Sequence, residues 1–158
     1  MANVDAAFGL RPIGKVGSNR DAQGNTEYEI AVCAGAIYQN DCVKAAGAGV
    51  AIAAATDNGA LLGALTGVFF TDTTTSKPTF ANNLAASNAA TDIKGFVTDD
   101  PFQLYEIQSN NSGASAQGDV GLNADLSVVA GTSPHYVSKT ELDDDGSPAI
   151  AEIGRAHV

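Results

Sequence analysis

The sequence predicts a mainly β protein, a small barrel or sandwich preceded by an extended N-terminal arm. Three observations lead there. Short apolar runs with two-residue alternation recur along the chain, and Gly, Asn and Asp separate them at spacings suited to antiparallel strands. No internal repeat and no heptad pattern is present, so neither a solenoid nor a coiled coil is expected. The opening residues are too polar and glycine-rich to bury much surface.

The arm covers residues 1–26. It contains Pro12 and the polar run Gly17-Ser18-Asn19-Arg20-Asp21-Ala22-Gln23-Gly24-Asn25, which favours looping or extended backbone. Phe8, Leu10, Pro12, Ile13 and Val16 punctuate it as apolar hooks. Hooks on an arm imply docking to another subunit, and the alternative is that they cover one end of their own domain. The β-rich domain then spans residues 27–158.

Within that domain, Tyr28, Ile30 and Val32 alternate along Glu27 to Cys33 as a half-buried strand. The turn Gln39-Asn40-Asp41 leads into Cys42 to Ala45. Gly47-Ala48-Gly49 then turns the chain into Val50 to Ala55, and Asp57-Asn58-Gly59 into Leu61 to Thr71. Leu61 to Phe70 is rich in Leu and Ala, yet Gly63, Gly67 and the run Val68-Phe69-Phe70-Thr71 favour one long, bent strand over a helix. Asp72 to Ala90 reads as a long Thr- and Asn-rich loop with a short strand near Thr79 to Ala81. Thr91 to Thr98 and Phe102 to Gln108 read as an antiparallel pair about the turn Asp99-Asp100-Pro101, with a bulge, or burial on both sides, where the apolar face shifts between Leu104 and Tyr105. A short helical turn or an irregular segment is expected after Gln117. Pro134 to Leu142 supplies a strand through Tyr136 and Val137, Asp143 to Gly146 a tight turn, and Ala149 to Ile153 a last strand.

Length and composition narrow the function. The chain has 158 residues, enough for one core. Of these, 44% are apolar but only 6% aromatic, and much of the apolar content is alanine, so the core should be thin. The net charge is -10 with 8 scattered basic residues, which argues against a nucleic-acid-binding surface. Met1 to Gly14 lacks the basic start and apolar run of a secretory signal, and Ala60 to Phe70 is too short to span a bilayer. No membrane partner is therefore expected. Cys33 and Cys42 read as two small buried thiols, with a disulfide between neighbouring strands as the alternative.

Catalytic constellations are not visible. The two histidines, His135 and His157, have no convincing partners for nucleophilic chemistry. Gly47-Ala48-Gly49 lacks the Lys-Ser/Thr pair of a phosphate loop. Glu141 to Gly146 has the wrong spacing for a calcium loop and reads as a solvated hairpin turn. Asp99-Asp100-Pro101 is explained as a turn. No enzyme, cofactor or metal site is expected.

The residues also carry a resemblance. Ala6-Ala7-Phe8-Gly9-Leu10-Arg11-Pro12-Ile13-Gly14 is similar to the "FGLRP" or "FGFRP" openings of small virion proteins of tailed phages. Asn40-Asp41-Cys42-Val43-Lys44, Val50 to Ala55 and Leu61 to Asp72 resemble the "G-D-x-V … G-V" order of phage head decoration, or cement, proteins, with Asn40 standing where a glycine is usual. The resemblance implies a β-barrel-like or β-tulip-like domain on the outer surface of the capsid in the virion, made in the host cytoplasm and clamping adjacent capsomers. Its implied partners are the major capsid protein and further copies of itself, trimers being common in such families. On this reading Phe8, Leu10, Pro12 and Ile13 insert between capsid subunits, and Arg11 pairs with an acidic group there. The competing class is a tail-associated or receptor-binding, adhesin-like module whose Asp72 to Ala90 loop contacts glycans. The lack of tryptophan counts against it.

Overall fold

The computed structural model describes residues 6–17, 24–30, 35–47, 49–53, 61–110, 117–121 and 124–143. About half of these lie in strands, and none lies in an α-helix. The strands are β1 (Arg11–Lys15), β2 (Thr26–Glu29), β3 (Ile37–Tyr38), β4 (Cys42–Ala46), β5 (Gly49–Ile52) and β6 (Leu61–Thr71). They continue as β7 (Pro78–Ala81), β8 (Asn83–Leu84), β9 (Lys94–Thr98), β10 (Gln103–Glu106), β11 (Asp125–Ser127) and β12 (Glu141–Asp143), with one 3-10 turn at Gln117–Asp119. The chain is therefore mainly β, as its alternation and turn residues require.

The principal sheet has six strands in the order β2-β9-β6-β4-β5, with β7 paired to the far end of β6. Just beyond β2, Ile30 makes a parallel bridge to Val50 in β5, which brings the two ends of that order together. Gly49 permits the approach, because a Cβ there would collide with the Glu29 carbonyl.

The long strand expected at Leu61 to Thr71 is present and carries two bulges. Opposite β4 the register shifts between Gly63 and Leu61, and opposite β9 between Leu65 and Gly67. Ala64 and Leu65 lie between the two bulges in regular strand, so these neighbours are buried on opposite faces. Leu65 joins Ile30, Ile37, Val43, Val50, Val68, Leu84, Ile93 and Val97 in one core cluster. Its neighbour Ala64 joins Leu10, Cys42 and Ala53 in a second, flanked by Tyr105, Ile107 and Leu126. A strand covered on both sides reads as a continuous apolar run, which is what Leu61 to Phe70 shows.

Two expected features come out differently. β9 and β10 do not form a hairpin: β9 pairs with β2 and β6, whereas β10 pairs antiparallel with β1. The bulge sits across from β10, as Ile13 in β1, where the register shifts between Pro12↔Tyr105 and Gly14↔Leu104, while Leu104 and Tyr105 are both half-buried, matching the reading of burial on both sides. Tyr136 and Val137 do not start a strand. Tyr136 has φ +52°, incompatible with extended pairing, Val137 makes only an isolated bridge to Gln39, and the strand begins at Glu141. The short strand near Thr79 is β7, and the helical turn after Gln117 is the 3-10 turn. Cys33, most of the 143–146 turn and the strand expected at Ala149 to Ile153 lie outside the described residues.

Candidate docking surface

Residues 11–15, inside the stretch read as an arm, pair with β10 of the same chain, and the preceding motif is seated on the sheet. The seat is the turn before β4. Leu10 N–H donates to the Asn40 carbonyl at 3.0 Å, and Asn40 Nδ2 donates to the Phe8 carbonyl at 2.9 Å. Between them Gly9 has φ +72°, and a Cβ on it would lie 2.5 Å from both Asn40 O and Ser138 Cβ. Asn40 is itself left-handed at φ +66°. Asparagine suits this position, since among residues with a side chain it tolerates that region better than most.

The five candidate docking residues thus have separate fates. Leu10 is buried in the second core cluster. Phe8 and Pro12 are half-buried. Arg11 is exposed, ion-paired with Glu106 and placed over the Phe8 ring at 5.2 Å from its centroid. The acidic partner of Arg11 is therefore supplied by this chain. Ile13 is outward, 58% exposed, because the bulge lifts it out of the ladder.

Two further apolar residues near the end of this ribbon are exposed. Val16 and Phe102 are each 48% exposed, and Val16 N–H donates to the Phe102 carbonyl at 2.9 Å. Two contacts hold the tip: Lys15 pairs with Asp100 at 2.9 Å, and Asp100 Oδ1 accepts the Phe102 N–H at 2.8 Å. Val16 counted among the hooks in the sequence. Phe102 was assigned to a strand face, and only the pairing of β10 with β1 reveals it as the neighbour of Val16.

A second exposed apolar feature lies on the principal sheet. Phe69 opposes Phe80 across β6 and β7, and the Phe80 ring packs against Phe96 at 5.7 Å between centroids. Phe80 lies over Gly67, whose missing side chain leaves it room, and is 67% exposed. A Lys94–Glu27 ion pair at 2.6 Å flanks the group.

Beneath the N-terminal motif is a buried polar cluster. Asp41, Ser138 and Thr140 are fully buried, and Asp41 Oδ2 accepts the Tyr38 N–H at 2.8 Å while Oδ1 has no partner. Burial pushes the Asp41 carboxyl above its ordinary range, opposed by hydrogen bonds from Ser138 and Tyr38. Beside it, Cys42 is a free thiol, and burial pushes it up to about 11. A thiol so raised is a poor nucleophile. Among the described residues no group of three or more His, Cys, Asp or Glu is placed to hold a metal ion, and no helix is long and apolar enough to cross a membrane. His135 is exposed in a turn, and His157 lies outside the described residues.

No family model, curated protein or solved structure matches this chain.

Proposed function

We propose that the chain is a non-enzymatic virion protein that binds the outer surface of a tailed-phage capsid and clamps adjacent capsomers. The observation that carries this reading is the exposure of three apolar side chains, Ile13, Val16 and Phe102, on a ribbon with ion pairs Arg11–Glu106 and Lys15–Asp100 at its two ends. Side chains on a paired ribbon bind with less loss of conformational freedom than those on a free arm. Each side chain is about half exposed, so covering it gains roughly 1 kcal/mol. Repeated over a symmetric shell and linked to a second contact, such gains combine by effective concentration. The Ile30–Val50 bridge, which draws the first and last strands of the principal sheet together, supports the small barrel or tulip-like form. In this reading Leu10 and Pro12 anchor the ribbon, Arg11 braces it, and Ile13 makes the contact.

The test is occupancy on undecorated heads by the triple variant Ile13→Asp, Val16→Asp, Phe102→Ser. Loss of about 3 kcal/mol weakens binding roughly 100-fold while the melting temperature is kept. Wild-type occupancy by the variant, or turnover of a substrate by the purified chain, overturns the proposal. Deleting the whole opening segment is uninformative, because it also removes β1 and Leu10 from the fold.

The receptor-binding reading gains one specific observation: Phe80, within the Thr- and Asn-rich passage, presents an exposed aromatic face beside Phe69 and Phe96. Binding to a glycan array that Phe80→Ser abolishes would favour that reading over the capsid role.

A further inference from the structure

The corner beneath the N-terminal motif joins three segments remote in sequence. Phe8 and Leu10 hydrogen-bond to Asn40, and Gly9 sits against both Asn40 and Ser138. Ser138 N–H donates to the Gln39 carbonyl at 2.8 Å, and Ser138 Oγ accepts the Thr140 N–H at 3.2 Å and contacts Thr140 Oγ1 at 3.0 Å. Asp41 lies at the centre with no exposed surface. None of the ion pairs among the described residues includes it. An ionised carboxylate in such a place is costly, since one oxygen is without a donor and no opposite charge compensates it.

We propose that Asp41 is a protonation-controlled latch: its neutral form keeps residues 8–10 and 138–140 seated on the β3–β4 turn, and its ionised form loosens both. The groups facing it from each packed element leave the proton on Asp41 as the controlling one. From β4, Cys42 stays a neutral thiol through the carboxylate range. From β3, Tyr38 contributes its backbone N–H. On the third segment the Lys139 side chain is exposed, and after the motif Arg11 is committed to Glu106. The raised carboxyl supports the same direction. A group with a raised folded value stabilises fully below the unfolded value, about 4, and that contribution is lost as pH rises through the folded value. The latch is a property of the fold and does not depend on what the exposed ribbon binds.

The experiment is amide hydrogen exchange, corrected for intrinsic rates, across the acid-to-neutral range, together with an NMR titration of the Asp41 carboxyl carbon. Leu10 and Ser138 amides report the latch and Val97 in β9 is the reference. Protection at Leu10 and Ser138, which open below the global limit set by Val97, should fall by up to tenfold per pH unit between about 4 and the raised folded value of Asp41 and level off above it. Asp41→Asn, which cannot ionise, should flatten the dependence. Ser138→Ala, which removes a donor to the ionised form, should move the Asp41 midpoint further up. Titration of Asp41 at or below the ordinary carboxylate range, pH-independent protection at Leu10, or protection at Leu10 equal to that at Val97 overturns the latch. Should the Asn variant not fold, the wild-type titration and the Ser138→Ala shift decide the matter.

Discussion

Replacing Gly9 by alanine tests whether the N-terminal motif is part of the folded domain, and the structure supplies its own controls. At Gly9 two penalties coincide. Its φ of +72° lies in the left-handed region, which costs a residue with a Cβ about 1–2 kcal/mol. The new Cβ would also stand 2.5 Å from the Asn40 carbonyl oxygen and from Ser138 Cβ, neither of which can rotate away. Relief requires moving the motif, which breaks the Leu10–Asn40 and Asn40–Phe8 hydrogen bonds at about 1 kcal/mol each. The expected loss is about 3–4 kcal/mol. Gly17 separates the terms, because it has φ +101° with nothing within 4 Å of an added Cβ, so Gly17→Ala should cost only the backbone share of about 1–2 kcal/mol. Gly14 has neither feature, and Gly14→Ala should fall within about 0.5 kcal/mol of the wild type. Urea unfolding reads all three: with a slope of about 2 kcal/mol/M, Gly9→Ala lowers the midpoint by roughly 1.5–2 M. A Gly9→Ala loss no larger than that of Gly17→Ala would show that the motif is not seated between Asn40 and Ser138.

Two further expectations concern titration. Because Cys42 is buried and raised to about 11 from the ordinary thiol value of 9.0, its thiolate fraction at neutral pH is roughly 100-fold reduced, and peptide-mapped alkylation of Cys42 should run at least that much slower in the native chain than in urea; a native rate within tenfold of the unfolded one would contradict its burial. Asp92 is held below the usual carboxylate range first by the Thr71 hydroxyl (2.6 Å) and then by the Thr71 N–H, so its contribution is present above the unfolded carboxylate value and is lost as pH falls through the lowered one. Thr71→Val should raise the Asp92 midpoint toward the ordinary value in an NMR titration, and an unchanged midpoint would remove the hydroxyl as the main cause.

Local chemistry made much of the sheet legible. Tyr28 in β2, Val50 in β5 and Phe96 in β9 lie in runs bounded by turn residues, and the glycines of β6 mark a strand that bulges instead of a helix. Partner choice was not legible. A turn such as Asp99-Asp100-Pro101 suggests that its flanking strands pair with each other, but β10 is drawn to β1 by Arg11–Glu106 and Lys15–Asp100, whose members are far apart in sequence. Pro12 and Gly14 further disguise β1, since both are poor strand formers. Within the candidate surface, Ile13 and Val16 were readable as apolar hooks, whereas Leu10 looked equally free and is in fact core. Asp41 was rightly placed in a turn, yet nothing near it in sequence signals burial, because one of the groups beside it, Ser138, is far along the chain.

The position of Gly9 between Asn40 and Ser138 also has a bearing on timing. During synthesis the first side of that niche emerges early, whereas the second emerges only after β9, the last strand of the large sheet, has been made. Closures spanning such long stretches of chain come late in folding. The opening residues consequently pass through a period in which a nascent sheet is available but their own niche is half built.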